Sequence, residues 1–401
     1  MGISVEFDSR ETVILAILVL FLGRFLNKKT NVLRHYNIPE PVTGGLLASI
    51  LFSSVYFIFD IKINFSLEQR DALLVIFFTC VGLSSRFTTL LQGGKTLLIL
   101  LVVATTYLFI QNFTGIAVAL STGIDVQTGV LGGSVALSGG HGTAIAWAPT
   151  FASEYGIANA MEIGIACATF GLVLGGVAGG PIANYLIQRH NLSSDSKENL
   201  SVGFVHEQHE KITVDTAYSV LLILCIAIGV GLYLHELIIY FGYKLPIFVP
   251  CLFGGILLTN TIPYLWKNIS WPTGTPTLAL LTDFSLGLFL AMSLMSLQLW
   301  TLIDLALPIV LLLSAQVVIA TFFTIFVVFR VLGKTYDAAI MSSGYVGLAL
   351  GATPTAVANM TAVTKKYGAS PQAFIVVPLI GAFFIDISNA IIIQTVLGWV
   401  T

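Results

Sequence analysis

An aspartate and an asparagine, one helical turn apart, stand in the middle of an apolar run near the end of the sequence. Asp386 and Asn389 are preceded and followed by almost uninterrupted apolar residues. A carboxylate at the centre of a membrane costs about 3 kcal/mol or more unless it is paired. The two side chains offer hard oxygen ligands to a small cation. The carboxylate can also balance an ammonium group of a solute, and a purely structural pair with a nearby donor is the alternative.

Two clusters of small residues interrupt other apolar segments, at about 128–150 and 338–362. Three glycines in four positions disfavour a helix interior in the first cluster. In the second cluster, Thr353 fits an N-cap and Pro354 the first helical residue. We therefore expect each cluster to end one helix and start another. The clusters are Ser138, Gly139, Gly140, His141, Gly142 and Thr143, and Gly351, Ala352, Thr353, Pro354, Thr355 and Ala356.

Helix starts of this kind suit anions, because their free N–H groups and the positive dipole end attract negative charge. Two of them suit a solute with two carboxylates. Thr355 and Asn359 are four residues apart, so they share a face of the second new helix and can also contact a solute. His141 can donate to a carboxylate or brace the turn. The alternative for both clusters is close helix packing through small residues.

The segments that carry these residues are those of a membrane protein. The chain has 401 residues, of which 56% are hydrophobic and 9% charged, against about a quarter charged in soluble proteins. The net charge of -2 shows no basic excess, so we expect no nucleic-acid partner. Apolar runs of about twenty residues predict helices that span a lipid bilayer. The predicted spans are 12–28, 41–59, 71–91, 95–121, 158–187, 216–240, 246–266, 274–300, 302–330 and 371–397.

The sequence predicts an all-α polytopic fold with two related halves. Residues 1–187 and 215–401 each hold five predicted spans and one broken segment, and the polar residues 188–214 join them. Gly132, Gly139 and Thr143 match Gly344, Gly351 and Thr355 at one constant offset. If each broken segment is a re-entrant hairpin, each half crosses the membrane five times and the halves are inverted repeats, as in many secondary transporters.

The basic residues predict the orientation. With both termini outside and the 188–214 linker cytoplasmic, fourteen of the 18 Lys and Arg fall on the cytoplasmic side, as the positive-inside rule requires. Counting either broken segment as a full crossing disturbs this sorting. The fourteen are Arg24, Lys28, Lys29, Arg34, Arg86, Lys95, Arg189, Lys197, Lys211, Lys267, Arg330, Lys334, Lys365 and Lys366.

Several of these motifs together resemble the bacterial sodium/glutamate symporters. The similarity runs the length of the chain, through segments 38–45, 138–143, 170–176, 336–339, 351–359 and 381–386. The resemblance implies an inner-membrane homodimer in which sodium drives L-glutamate uptake. It also implies a scaffold domain and a mobile domain with both hairpins that moves like an elevator. Two departures lie beside the expected site: Ala144 where similar sequences often have glycine, and Tyr345 where the family tends to have histidine.

With this resemblance, the candidate residues divide into two sets. We expect the solute to be bound by Ser138, Gly139, Gly140, His141, Gly142, Thr143, Thr353, Thr355, Asn359 and Asn389. We expect Na⁺, the co-transported ion, to be bound by Asp386, Asn389, Gly351 and Glu162.

Other function classes fit the sequence less well. An intramembrane enzyme needs a nucleophile and a base, or a metal cluster, and Asp386 alone is neither, so no enzymatic activity is expected. A sodium-coupled citrate or dicarboxylate symporter would use the same hairpins and is the main alternative. A channel is the third possibility, because broken helices also line pores.

Overall fold

The computed structural model describes residues 3–31, 33, 38–194, 212–241, 245–266 and 271–400. Most of the predicted linker, residues 195–211, lies outside this part of the chain. So do Arg34, Lys244 and Lys267, which entered the orientation prediction. The described chain is almost entirely helical, because helices satisfy every backbone hydrogen bond within one segment of an apolar sequence. It forms two compact units.

The first unit comprises Met1–Leu33, Pro39–Phe87 and Glu207–Trp300. Asp8 caps its first helix with a capping box to Glu11. The backbone N–H of Glu11, and less strongly that of Arg10, donates to Asp8 and lowers the pKa of its carboxyl. The elements of this unit are β1 (Ile3–Phe7), α1 (Ser9–Lys29), α2 (Glu40–Phe59), β2 (Ile61–Phe65), α3 (Glu68–Ser84), and later α8 (Val214–Tyr240), α9 (Phe248–Thr259), α10 (Ile262–Leu265) and α11 (Pro276–Met295).

A short two-stranded sheet in this unit departs from the purely helical prediction. β1 and β2 pair in parallel, from Ile3 with Ile61 to Phe7 with Phe65. Parallel strands need a crossover between them, and α1 and α2 supply it. The pairing brings the start of α1 and the end of α2 together, as two consecutive antiparallel helices require.

The second unit comprises Arg34–Ile38, Thr88–His206 and Thr301–Thr401. It contains both predicted broken segments. Its elements are α4 (Thr88–Thr122), α5 (Val126–Val130), a π-helical turn (Leu131–Val135), α6 (Gly140–Tyr155) and α7 (Ala160–His190), followed by α12 (Ala306–Phe323), a second π-helical turn (Thr324–Val328), α13 (Phe329–Val331), α14 (Tyr336–Leu350), α15 (Thr353–Tyr367), α16 (Pro371–Leu379), a third π-helical turn (Ile380–Phe384) and α17 (Ile385–Val400).

Seven of the described helices are long and apolar enough to cross a membrane, which is the pattern of a polytopic membrane protein. They correspond to seven of the ten predicted spans. Of the other three, 12–28 lies in the more polar α1, and 71–91 is wrong at its end because α3 stops at Ser84. The predicted span 371–397 is divided by the π-helical turn Ile380–Phe384. The seven are Glu40–Phe59, Gly94–Thr122, Ala160–His190, Val214–Tyr240, Phe248–Leu265, Pro276–Met295 and Ala306–Val331.

Candidate functional site

The first predicted break is present and is wider than the glycine cluster. Helix α5 passes into the π-helical turn Leu131–Val135, where Gly133 has non-helical angles of φ -90° and ψ -123°. The chain becomes helical again at Gly140, whose φ is +66°, a conformation that glycine adopts without steric cost. The new helix, α6, therefore begins within the predicted cluster Ser138–Thr143.

The second predicted break is a sharp turn between α14 and α15. Gly351 follows α14 with φ -148° and ψ -94°. The predicted cap is wrong by one residue, because Ala352 occupies the N-cap position and Thr353 is already helical. Ala352 has no side-chain oxygen, so the first N–H groups of α15 receive no side-chain cap. This leaves them available to a bound group.

The two breaks lie against each other inside the second unit. A Cβ built on Gly140 would be 3.4 Å from the carbonyl oxygen of Gly351. The hydroxyl of Ser138 lies 3.2 Å from the carbonyl oxygen of Ala349, to which it donates. Two helix N-termini, those of α6 and α15, consequently start beside one another. Their combined dipoles favour an anion at this point.

A buried glutamine of α4 joins the two breaks; it lies well after the kink at Gly94, in the continuous part of this helix. Gln111 accepts from the Ser138 hydroxyl at 2.5 Å and donates through Nε2 to the Ala349 carbonyl at 2.8 Å. Gln316 of α12 donates in turn to the Gln111 carbonyl at 2.8 Å. From the sequence, Gln111, Asn112 and Gln316 lie inside apolar helices, where polar residues usually form hydrogen bonds between helices. The contacts of Gln111 and Gln316 are hydrogen bonds of this type.

The candidate residues of the first cluster are largely buried. Ser138, His141 and Thr143 are 7%, 8% and 5% exposed. The ring Nε2 of His141 lies 3.0 Å from the hydroxyl of Thr169 on α7. This contact corresponds to the bracing role considered for His141 from the sequence, and it leaves Nδ1 for a second partner. Gly139 is the N-cap of α6, and Gly142 lies in its first turn.

On α15, two candidate side chains face the interior, as their spacing predicts. Thr355 is fully buried, and its hydroxyl has no hydrogen-bond partner among the residues that the structure describes. Asn359 donates to the carbonyl of Gly175 at 2.9 Å and of Ser343 at 3.3 Å. Its amide nitrogen therefore holds α15 against α7 and α14, and its oxygen is the atom left to contact a solute.

The helix that carries Asp386 begins directly after a π-helical turn. π-helical turns occur frequently at functional sites. Within this turn, Gly381 lies against the hydroxyl of Thr353, so that any Cβ at residue 381 would overlap it. The second break is thus in contact with the segment that leads into Asp386. The Asp386 side chain is partly buried and forms no hydrogen bond or ion pair with the described residues.

The remaining candidates lie at helix ends. Glu162 is 9% exposed in the first turn of α7, where a carboxylate interacts favourably with the helix dipole, and it is not without a partner. Gly351 approaches α7 closely, since a Cβ there would be 3.0 Å from the Cα of Leu172. Among the described residues, no group of three or more His, Cys, Asp or Glu could hold a metal ion.

Ser134 was not among the site residues predicted from the sequence. It lies in the first π-helical turn, and Asn112 and Asn389 both bond to its main chain, at 3.0 Å and 2.8 Å. The adjacent glycines Gly132 and Gly133 directly precede Ser134. Because glycine is unfavourable inside a helix, this pair indicates a second irregular turn in the same segment.

Paired broken helices in a polytopic membrane fold are features of the secondary active transporters. Comparison with known proteins supports this class and also identifies the family. The family model described as "Sodium/glutamate symporter" matches residues 5–369. The chain belongs to the sodium/glutamate symporter family.

Curated relatives match over nearly their whole length. The chain is 41% identical over 396 residues to the sodium/glutamate symporter of Haemophilus influenzae, covering 98% of this chain and 97% of that protein. It is 40% identical over 390 residues to the proteins of the same name from Escherichia coli K12 and Shigella flexneri, covering 96% of each chain. The resemblance inferred from the sequence motifs is confirmed.

Proposed function

We propose that this chain is a sodium-coupled symporter that takes up L-glutamate. Membership of the sodium/glutamate symporter family supports the ion and the solute. The observation that carries the proposal is the close approach of the two breaks at Gly140 and Gly351. It places the starts of α6 and α15 side by side, where they can hold the carboxylates of glutamate.

The solute is bound at these two helix starts. The N–H groups of their first turns and the hydroxyls of Ser138, Thr143, Thr353 and Thr355 supply donors to the carboxylates. His141 adds a ring nitrogen, and the glycines 139, 140 and 142 let the solute reach the backbone. Asn359 and Asn389 contact the rest of the solute through their amide groups.

Sodium, the co-transported ion, is bound by oxygen atoms near the third π-helical turn. Asp386 supplies the charge and Asn389 an amide oxygen, while Gly351 supplies a carbonyl oxygen. Glu162 is the fourth proposed ligand. Asp386 is partly buried and has no ion-pair partner among the residues described by the structure; this supports a cation at this position, because burying an uncompensated charge is costly.

Transport proceeds by alternating access with an elevator-like movement. Both broken segments belong to the second compact unit, which is therefore the proposed mobile domain, and the first unit is the scaffold. The two halves, 1–187 and 215–401, are inverted repeats with re-entrant hairpins. The protein is a homodimer in the bacterial inner membrane, with both termini outside and the linker 188–214 cytoplasmic.

The test is uptake by the purified protein in liposomes under an inward sodium gradient. Labelled L-glutamate should accumulate above its external concentration, and unlabelled L-glutamate should compete. Replacing the sodium gradient by choline should abolish accumulation. Strong inhibition by citrate with none by unlabelled glutamate would assign the chain to the citrate or dicarboxylate symporters. Equilibration without accumulation would indicate a channel.

A further inference from the structure

Three fully buried polar side chains meet at Ser134, on three different elements of the second unit. Ser134 lies in the first π-helical turn, Asn112 on α4 and Asn389 on α17, and each is 0% exposed. Each also has one polar atom that finds no hydrogen-bond partner in the part of the chain that the structure describes: Ser134 Oγ, Asn112 Nδ2 and Asn389 Oδ1. Buried polar atoms are rarely left unpaired in proteins, so three at one place indicate a bound species.

The main chain of Ser134 fixes the orientation of both amides. Its N–H donates to Asn112 Oδ1 at 3.0 Å, and its carbonyl accepts from Asn389 Nδ2 at 2.8 Å. Asn112 therefore leaves its nitrogen free and Asn389 leaves its oxygen free. The opposite amide orientation would set two donors or two acceptors against each other.

The free oxygens are of the kind that a small hard cation prefers. The Ser134 hydroxyl and the Asn389 amide oxygen carry no net charge. The charged ligand is Asp386, which lies one turn before Asn389 on the same face of α17. One carboxylate with neutral oxygens balances a single positive charge, so the donor set fits Na⁺ better than a divalent cation. The free Nδ2 of Asn112 can donate to a water molecule that completes the shell of the ion.

The geometry points to Ser134 as a sodium ligand that completes, with Asn389 and Asp386, a subsite between the first broken segment and α17. This inference rests on the proposed function and extends it, because it makes the first broken segment a direct partner of the ion. Sodium would then order the π-helical turn that leads to the start of α6. Ion binding and the solute site would be linked through the backbone between Ser134 and Gly140.

The experiment measures sodium binding in the absence of glutamate. The thermal unfolding midpoint of the purified protein is followed against NaCl, with choline chloride keeping the ionic strength constant. The wild type should show a saturable rise. In Ser134→Ala, the half-saturating sodium concentration should increase about tenfold or more, which is about 1.4 kcal/mol.

The substitution is mild, because both asparagines bond to the main chain of residue 134 and keep their partners. Ser134→Cys is the second variant; it retains the side-chain volume but offers a soft sulfur, and it should lose sodium affinity as well. Ser293→Ala is the matched control, since Ser293 is also 0% exposed but donates within its own helix to Phe289 at 2.8 Å. Its sodium affinity should equal that of the wild type.

Unchanged half-saturating sodium in both Ser134 variants would overturn the subsite and leave a buried water molecule as the occupant. A wild type without saturable sodium dependence would also overturn it. Failure of the proposed function appears in a different measurement, as absence of sodium-driven glutamate uptake in liposomes. Weaker sodium binding in the variants without such uptake would support the subsite and contradict the symport.

Discussion

The side-chain oxygen of Gln111 accepts a hydrogen bond from the hydroxyl of Ser138 at 2.5 Å. The amide nitrogen of the same glutamine donates to the carbonyl of Ala349 at 2.8 Å. A single side chain of α4 is thus bonded to the residues just before both breaks. Together with the direct bond from Ser138 to Ala349, it holds the two helix starts in position.

We predict that Gln111→Met lowers glutamate uptake. Methionine keeps the length and volume of the side chain but makes neither bond, so Ser138 and Ala349 keep only their bond to each other. Each lost hydrogen bond costs about 0.5–1.5 kcal/mol. We expect kcat/KM for uptake in liposomes to fall about tenfold or more. Gln372→Met is the control, because Gln372 bonds to Thr96 at an exposed position. Equal uptake by the two variants would contradict a positioning role for Gln111.

The contact between the two breaks can be tested by replacing, one at a time, two glycines that both have a positive φ with alanine. Gly140 has φ +66° and Gly123 has φ +73°, so alanine strains either position by about 1 kcal/mol. A Cβ at residue 140 meets the carbonyl of Gly351, whereas a Cβ at residue 123 meets nothing within 4 Å. We expect both variants to lose similar thermal stability and only Gly140→Ala to lose glutamate uptake.

We predict that Asp386 is needed for sodium-dependent uptake but not for the thermal stability of the protein. Asp386→Asn removes a partly buried charge that has no partner among the described residues, so the unfolding temperature without sodium should stay the same or rise. Sodium-dependent uptake and the sodium-induced stabilisation should both be abolished. Asp215→Asn, at the exposed start of α8, should retain both. Normal uptake and normal sodium affinity in Asp386→Asn would remove this residue from the site.

Thr355 offers a test of the solute site on α15. Its hydroxyl is fully buried and unpartnered within the described chain, and Thr355→Val replaces it with a methyl group of similar size. Because a hydrogen bond to a charged group contributes about 1.5–3 kcal/mol, KM for glutamate should rise about tenfold or more while stability is retained.

The control for this substitution lies on the same helix. Thr361 donates to the carbonyl of Val357 within α15 at 2.8 Å, so Thr361→Val should leave KM unchanged. If Thr355→Val lowered the unfolding temperature and left KM at the wild-type value, Thr355 would have a packing role only.

The breaks were predictable because they depend on local chemistry. Glycines at 139, 140 and 142 disfavour a helix interior, and Pro354 is favoured in the first turn of a helix. The structure accordingly starts α6 at Gly140 and α15 at Thr353. The one-residue error at the second cap reflects how little energy separates neighbouring cap positions.

Contacts between distant segments were not predictable in the same way. Nothing local indicates that Ile3 pairs with Ile61, because parallel pairing depends on how α1 and α2 pack. The π-helical turn before Asp386 follows Pro378, which lies inside α16; a proline inside a helix disturbs the hydrogen bonds, but it does not predict that the disturbance is a π-helical turn. Ser134 was not predicted because a serine among small residues has no distinctive sequence pattern. Its importance depends on Asn112 and Asn389, which are distant in sequence and bond to its main chain.

The parallel pairing of β1 and β2 also constrains the order of folding. β1 leaves the ribosome first, yet its partner strand emerges only after α1 and α2 have been made. A parallel pair cannot form as a local hairpin, and closing a long loop has an entropic cost that must be met before the pairing contributes. We therefore expect β1 to pair with β2 late, only after α1 and α2 have both formed and packed against each other.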